Sequence, residues 1–178
     1  MSYAQSLLSL AVLLCVDNGG AERPPAQCRQ FDFWVGDWDV HVRMPTGPGQ
    51  DRWQEGQATN KITSRFDGHV IEEHFDGSHL PQPLTGMSVS VYNPKLEKWE
   101  QTWVDDQGSY IDLVGEFKDG KMILTHKVKP LGRKVIFRMV FEDIARDSFL
   151  WKWERSDDLG KSWLLRLQAR YTRSKAKT

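Results

Sequence analysis

Cysteine is nearly absent from the sequence, occurring twice in 178 residues, at Cys15 and Cys28. With no Cys-x-x-Cys pair and no His-x-x-x-His spacing, a structural zinc site has no ligand set to stand on. The histidines are His41, His69, His74, His79 and His126. His69 and His74 would face opposite sides of one strand and cannot chelate together. His74 with Glu72 or Glu73 could form a mixed site, but a solvated strand face accounts for them better, and no metal is expected. An excess of charge is missing too: Lys+Arg and Asp+Glu are 24 each. The even balance, with no basic block, argues against a nucleic-acid partner. Neither a glycine-rich phosphate loop nor a Gly-x-Ser-x-Gly elbow occurs, so no nucleotide or other cofactor is implied and nucleophilic catalysis has no support. No apolar run is long enough to span a bilayer.

The longest such run, Leu7 to Val16, has the length of a signal-peptide core. Asn18-Gly19-Gly20-Ala21 follows, with Gly19 and Ala21 at the minus-three and minus-one places of a cleavage site. The spacing predicts a signal peptide over 1–21, a linker over 22–30, one domain over 31–173 and a basic tail over 174–178, with secretion or a periplasmic location. No Lys or Arg precedes the run, so the alternative is a cytoplasmic chain with a short N-terminal helix or tail. Cleavage would leave Cys28 alone, without a disulfide.

Aromatic residues are plentiful. They make up 11% of the chain, with eight Trp, and restore the core volume that a hydrophobic content of 39% would otherwise leave short. From Phe31 onward, short apolar-polar alternations are separated by turn residues such as Asp76-Gly77, Asn93-Pro94 and Lys118-Asp119-Gly120. They predict strands over 31–43, 52–66, 69–75, 86–92, 98–105, 109–117, 121–127, 134–142, 148–155 and 162–173. About ten antiparallel strands in a simple meander are best closed on themselves, because closure leaves no exposed edge. The predicted fold is an all-β, up-and-down β-barrel.

Two resemblances can be attached to particular residues. Ser156 to Trp163, SDDLGKSW, is similar to the Asp-box hairpin of sialidase-type propellers, where the motif is a structural turn; one copy does not make a propeller. Phe31-Asp32-Phe33-Trp34-Val35-Gly36-Asp37-Trp38-Asp39-Val40 resembles the opening strand of a bacterial family of unknown function with a lipocalin-like, calycin-type barrel. Val70-Ile71-Glu72-Glu73, the stretch Trp99 to Gly108, the stretch Trp153 to Trp163, and Tyr171-x-Arg173 extend that resemblance in order. It implies a barrel with a Trp-x-Gly-x-Trp element plugging one end. Wider relatives bind fatty acids, retinoids, bilins or haem, and a few are enzymes, so fold does not choose a function. Nitrobindin-type barrels hold haem through a His near the C-terminus, whereas the last His here is His126.

Strand alternation assigns the lumen-facing side chains. Turning the richest apolar faces inward points Trp99, Gln101 and Trp103 into the barrel, with Ile71, Glu73 and Phe75. Phe149, Trp151, Trp153 and Arg155 follow, then Leu165, Leu167, Ala169 and Tyr171, Met122, Leu124 and His126, and Ala58, Asn60 and Ile62. The polar exceptions, Asn60, Glu73, Gln101, His126, Arg155 and Tyr171, are the functional candidates, since buried charge is costly unless it is paired or meets a ligand. Glu73 and Arg155 are expected as partners. An apolar pocket with few polar groups describes a small-molecule site, although such a barrel can equally be filled by its own side chains.

The expected function is binding of a small lipophilic molecule, a fatty acid or polycyclic compound. Trp99, Trp103, Trp151 and Trp153 would form its walls, and Asn60, Glu73, Gln101, Arg155 and Tyr171 would orient it. The alternative is an enzyme, a cyclase, isomerase or lyase, with Glu73 as acid or base and Tyr171 or His126 as second group. Oligomeric state is left open.

Overall fold

A computed structural model describes residues 24–47 and 51–175. Within them ten strands run in order: β1 (Gly36–Thr46), β2 (Arg52–Arg65), β3 (Val70–Gly77), β4 (Leu84–Asn93), β5 (Lys98–Asp105), β6 (Tyr110–Lys118), β7 (Lys121–Val128), β8 (Val135–Glu142), β9 (Ser148–Ser156) and β10 (Leu164–Arg173). Each pairs antiparallel with its neighbour in sequence, and β1 pairs with β10 from Trp38↔Arg173 to Arg43↔Gln168, which closes the barrel. The ten expected strands are therefore present as an up-and-down meander. The tight turns carry the backbone such turns demand: Asp119 and Gly120, between β6 and β7, both have positive φ. Alternation along β1 buries Trp38, Val40 and Val42 and leaves Asp37 and Asp39 outside.

One end of the barrel is plugged. Residues 31–34, expected to begin the first strand, belong instead to a 3-10 helix, Ala26–Trp34, that also takes in part of the expected linker. Density of aromatics there reflects packing across the barrel end rather than strand alternation. Phe31, Trp34 and Cys28 are buried, and Phe31 sets its ring edge against Trp99 and Phe141 at 4.7 and 5.4 Å. Trp38 Nε1 donates to Trp34 O at 2.7 Å, and Trp99 Nε1 to Gln30 Oε1 at 3.0 Å. Arg173 closes the same end, its guanidinium 3.9 Å from the Trp38 ring centre and its Nη1 donating to Val35 O at 2.6 Å. Gly36 makes that reach possible: a Cβ there would lie 2.0 Å from Arg173 Nη1.

Two departures from simple alternation matter. A bulge between Leu165 and Leu167 places Leu165 opposite Glu154. Glu154 bonds to Arg138 on the outer face, so Leu165 leaves the inward row that Leu167, Ala169 and Tyr171 keep. Pairing of β6 with β7 begins only at Val114↔Thr125, so Tyr110–Leu113 and His126–Val128 form no ladder with each other and pair only with β5 and β8. The expected signal peptide over 1–21 lies outside the described residues, as does most of the expected tail; Ser174 Oγ donates to Asp39 Oδ1 at 2.8 Å.

Candidate functional site

Above the plug the barrel is hollow. A cavity of about 220 Å³ opens toward the end where β3 meets β4, lined by Val42, Glu73, Phe75, Leu80, Leu84, Trp103, Asp105, Ile111, Leu113, Met139, Trp151, Trp153, Leu167, Ala169 and Tyr171. The volume exceeds the roughly 150 Å³ that admits a benzene ring and falls short of the roughly 300 Å³ where drug-sized sites begin. The β8 and β9 side is a row of flat rings: Phe137 stacks on Trp153 at 5.5 Å, and Trp151 and Trp153 lie within 6° of parallel at 6.5 Å. Opposite them Trp103 lies over Gly86, where a Cβ would come within 2.3 Å of the indole. Leu80, from the β3–β4 connection, folds inward over the mouth and is buried. A larger depression of about 380 Å³, over His74, Asp76, Thr85 and Asp106, lies open on the outer face of β3 to β5. Being open and polar-edged, it has none of the enclosure that holds a lipophilic molecule.

A row of buried polar side chains lies beside the cavity. Glu73, 5% exposed, accepts from Asn60 Nδ2 at 2.7 Å and from Ser88 Oγ at 2.5 Å. The same Asn60 Nδ2 donates to Tyr171 Oη at 3.1 Å. Gln101 Nε2 donates to Ser88 Oγ and Ser90 Oγ at 3.1 and 2.9 Å. Asn60 Oδ1 and Gln101 Oε1 are buried with no donor. Burial pushes the Glu73 pKa up, and the bonds from Ser88 and Asn60 offset this only in part. Burial also raises Tyr171, helped by the neighbouring Glu73 charge. A carboxyl group so placed can hold or release a proton beside an apolar space.

Of the expected site residues, Glu73, Trp103, Trp151, Trp153 and Tyr171 line one cavity. Asn60 and Gln101 stand behind it, orienting Glu73 and Ser88 rather than forming its surface. Trp99 belongs to the plug. Arg155 is not the partner of Glu73: its Nη2 donates to Asp157 Oδ1 at 2.7 Å at the rim, and its guanidinium lies 5.9 Å from the Phe137 ring. His126 is also apart from Glu73, its Nδ1 2.7 Å from Asp112 O where the β6–β7 ladder stops. Strand alternation fixes a face but not a height along the barrel, which is why three members of one inward row can sit in different compartments. Glu72, the other carboxylate considered, faces outward between Arg65 and His74, 3.0 Å from each. Among the described residues no group of three or more His, Cys, Asp or Glu is placed to hold a metal ion, and no helix is long and apolar enough to cross a membrane.

Sequence reasoning missed Ser88, Ser90, Leu80, Leu84 and Asp105. The serines alternate with Val89 and Val91, and the available signal pointed the wrong way, since Val89 is the exposed partner. Small residues face inward there because Trp103 and Gln101 sit directly opposite, Ser88↔Trp103 and Ser90↔Gln101. The Ser156–Trp163 segment connects β9 to β10, tied by Ser162 N and Oγ donating to Asp158 at 2.9 and 2.6 Å. These bonds hold the Asp158 carboxyl well below the usual range.

The chain belongs to the family described as Protein of unknown function (DUF1579), whose model matches residues 23–173. That span takes in the plug and all ten strands. No curated protein matches the chain significantly. Among solved structures, the S-type phycobiliprotein lyase CPES from Guillardia theta is similar, with a TM-score of 0.54 and 15% identity over 84% of this chain and 93% of that one. A likeness at that identity establishes the fold.

Proposed function

We propose that this chain binds a small lipophilic molecule in the hollow half of its barrel. Trp103, Trp151 and Trp153 would supply the walls, and Glu73 with Tyr171 the polar end. The supporting observation is the cavity itself: half-buried indoles around an unfilled apolar space, where a solid barrel would interdigitate its side chains. The similar phycobiliprotein lyase barrel is in keeping with a lumen that receives a ligand. Native mass spectrometry of freshly purified protein, followed by extraction, is expected to find a bound lipophilic compound, or failing that a Trp fluorescence change on adding one. A barrel that carries nothing and responds to no apolar probe would overturn the proposal.

A second reading rests on Glu73, whose raised pKa beside an apolar space suits proton transfer in a cyclase, isomerase or lyase. Tyr171, linked to Glu73 through Asn60, would be the second group. The Glu73→Gln variant separates the readings: a binder loses affinity modestly, and an acid–base enzyme loses turnover by about 10²-fold or more. The export suggested by Leu7–Ala21 belongs to this proposal too. Mass spectrometry from the native host is expected to show a chain beginning near Glu22, and an intact N-terminus would refute it.

A further inference from the structure

Charge in the cavity narrows the ligand. Among the described lining residues the ionisable side chains are Glu73, Asp105 and Tyr171, and none is basic. Glu73 is packed against Asn60 on β2, Ser88 on β4 and Tyr171 on β10, all without charge. The neighbouring His74 side chain is 56% exposed on the outer face, where it bonds to Glu72. The rim cation Arg155 is held by Asp157. An ionised Glu73 therefore has no counter-ion among the described residues, an arrangement that is costly unless something else provides one.

We propose that the occupant is a lipophilic cation, an amine protonated in water that carries a ring or short apolar chain, with its ammonium against Glu73 and its body between Trp103, Trp151 and Trp153. This inference rests on the binding reading above and names its ligand class. Aromatic faces attract a desolvated ammonium through their quadrupole, and the cavity offers three indoles and the Phe75 ring. The mouth carries the same sign of charge. Asp105 accepts from Trp103 Nε1 at 3.0 Å and from the backbone N–H groups of Ser109 and Gln107 at 2.9 and 3.1 Å. Burial opposes its ionised form, but these donors outweigh it and hold the carboxyl below its ordinary pKa. The Asp105 carboxylate at the mouth draws cations and repels anions. A fatty acid, expected from the sequence, would instead bring a buried negative charge that no basic residue of the described lining could pair.

The test compares three probes of matched shape, phenylbutylamine, phenylbutanol and phenylbutyrate, with the full chain near neutral pH, by Trp fluorescence and calorimetry. The amine is expected to bind on the order of tenfold tighter than the alcohol, with the carboxylate weakest. In Glu73→Gln the amine should lose that advantage, its affinity falling to the level of the alcohol's in the same variant. Should the variant fold poorly, the native protein provides a second readout. At pH 4.5, below the raised Glu73 pKa, amine binding draws a proton off the carboxyl, so the observed heat should change with the ionisation enthalpy of the buffer, while alcohol binding should not. Equal affinity of alcohol and amine overturns the cation inference and leaves lipophilic binding standing. The carboxylate binding tightest, with loss in Arg155→Ala, overturns it in favour of an anion held at the rim. Failure of all three probes removes both readings together.

Discussion

The two halves of the barrel use the same residue types to opposite ends. At the plugged end Phe31, Trp34, Trp38, Trp99, Phe141 and Phe149 are each at most 1% exposed. Their rings meet edge to face or tilted, as at 4.9 Å between Trp38 and Phe149 and 5.3 Å between Phe31 and Trp34. In the hollow half Trp103, Trp151 and Trp153 remain half-buried around unfilled space. Interlocked rings exclude every alternative arrangement and so specify the closure of the barrel. Rings left without a partner on one face give up that stability and keep a surface for something else.

The largest expected effect breaks this contrast directly. Trp38→Ala at the plug should cost about 3–5 kcal/mol in chemical denaturation. Trp151→Ala should cost under about 2 kcal/mol, because its ring is only half removed from water, while ligand binding is lost. Equal costs would mean that the hollow half is an ordinary core. Next comes Gly36→Ala, expected to cost roughly 1–3 kcal/mol, since its Cβ displaces Arg173 from Trp38 and Val35 and its φ of +136° is strained for any side chain. Arg173→Ala combined with Gly36→Ala should fall short of the sum of the two, because both remove the same contact. An additive double variant would show that Gly36 acts through its backbone alone. Tyr171→Phe is smaller, about 1 kcal/mol or less, because Asn60 Nδ2 keeps Glu73 as an acceptor.

Much of the architecture was legible in the sequence, because period-two alternation and turn residues are local signals that the closed meander reproduces. The inward faces of β2, β3 and β9 followed from the same rule. Its failures have physical causes. β4 receives no inward face from the sequence, and its more apolar side, Val89 and Val91, points away from the lumen because opposing Trp103 and Gln101 leave room inside only for Ser88 and Ser90. The aromatic run at Phe31 reads as strand because a 3-10 plug also buries closely spaced rings. Pairing Glu73 with Arg155 matched opposite charges on two inward-facing rows, but β3 and β9 are not adjacent in the barrel and Arg155 lies at the rim with Asp157. Rise along one strand separates Trp99 from Trp103, while the height of Arg155 relative to Glu73 depends on stagger between strands that no single strand encodes.

The smallest predicted effect carries the most information about the site. Glu73 has a pKa above its ordinary value of 4.5, chiefly through burial. In the window between the unfolded and folded pKa values the native chain holds a proton that the unfolded chain has already lost. Its contribution to stability is thus complete below about 4.5 and declines as pH rises through the folded value. Glu73→Gln, neutral at every pH, should abolish this decline, so that thermal unfolding shows the variant gaining on the native protein over a range that begins near pH 4.5 and extends upward. A lipophilic amine should do the same to the native protein, because its ammonium supplies the charge that an ionised Glu73 lacks. Without ligand, a native stability that rises over that range relative to the variant would mean that Glu73 is ionised at little cost, and the case for a cationic occupant would lose its electrostatic basis.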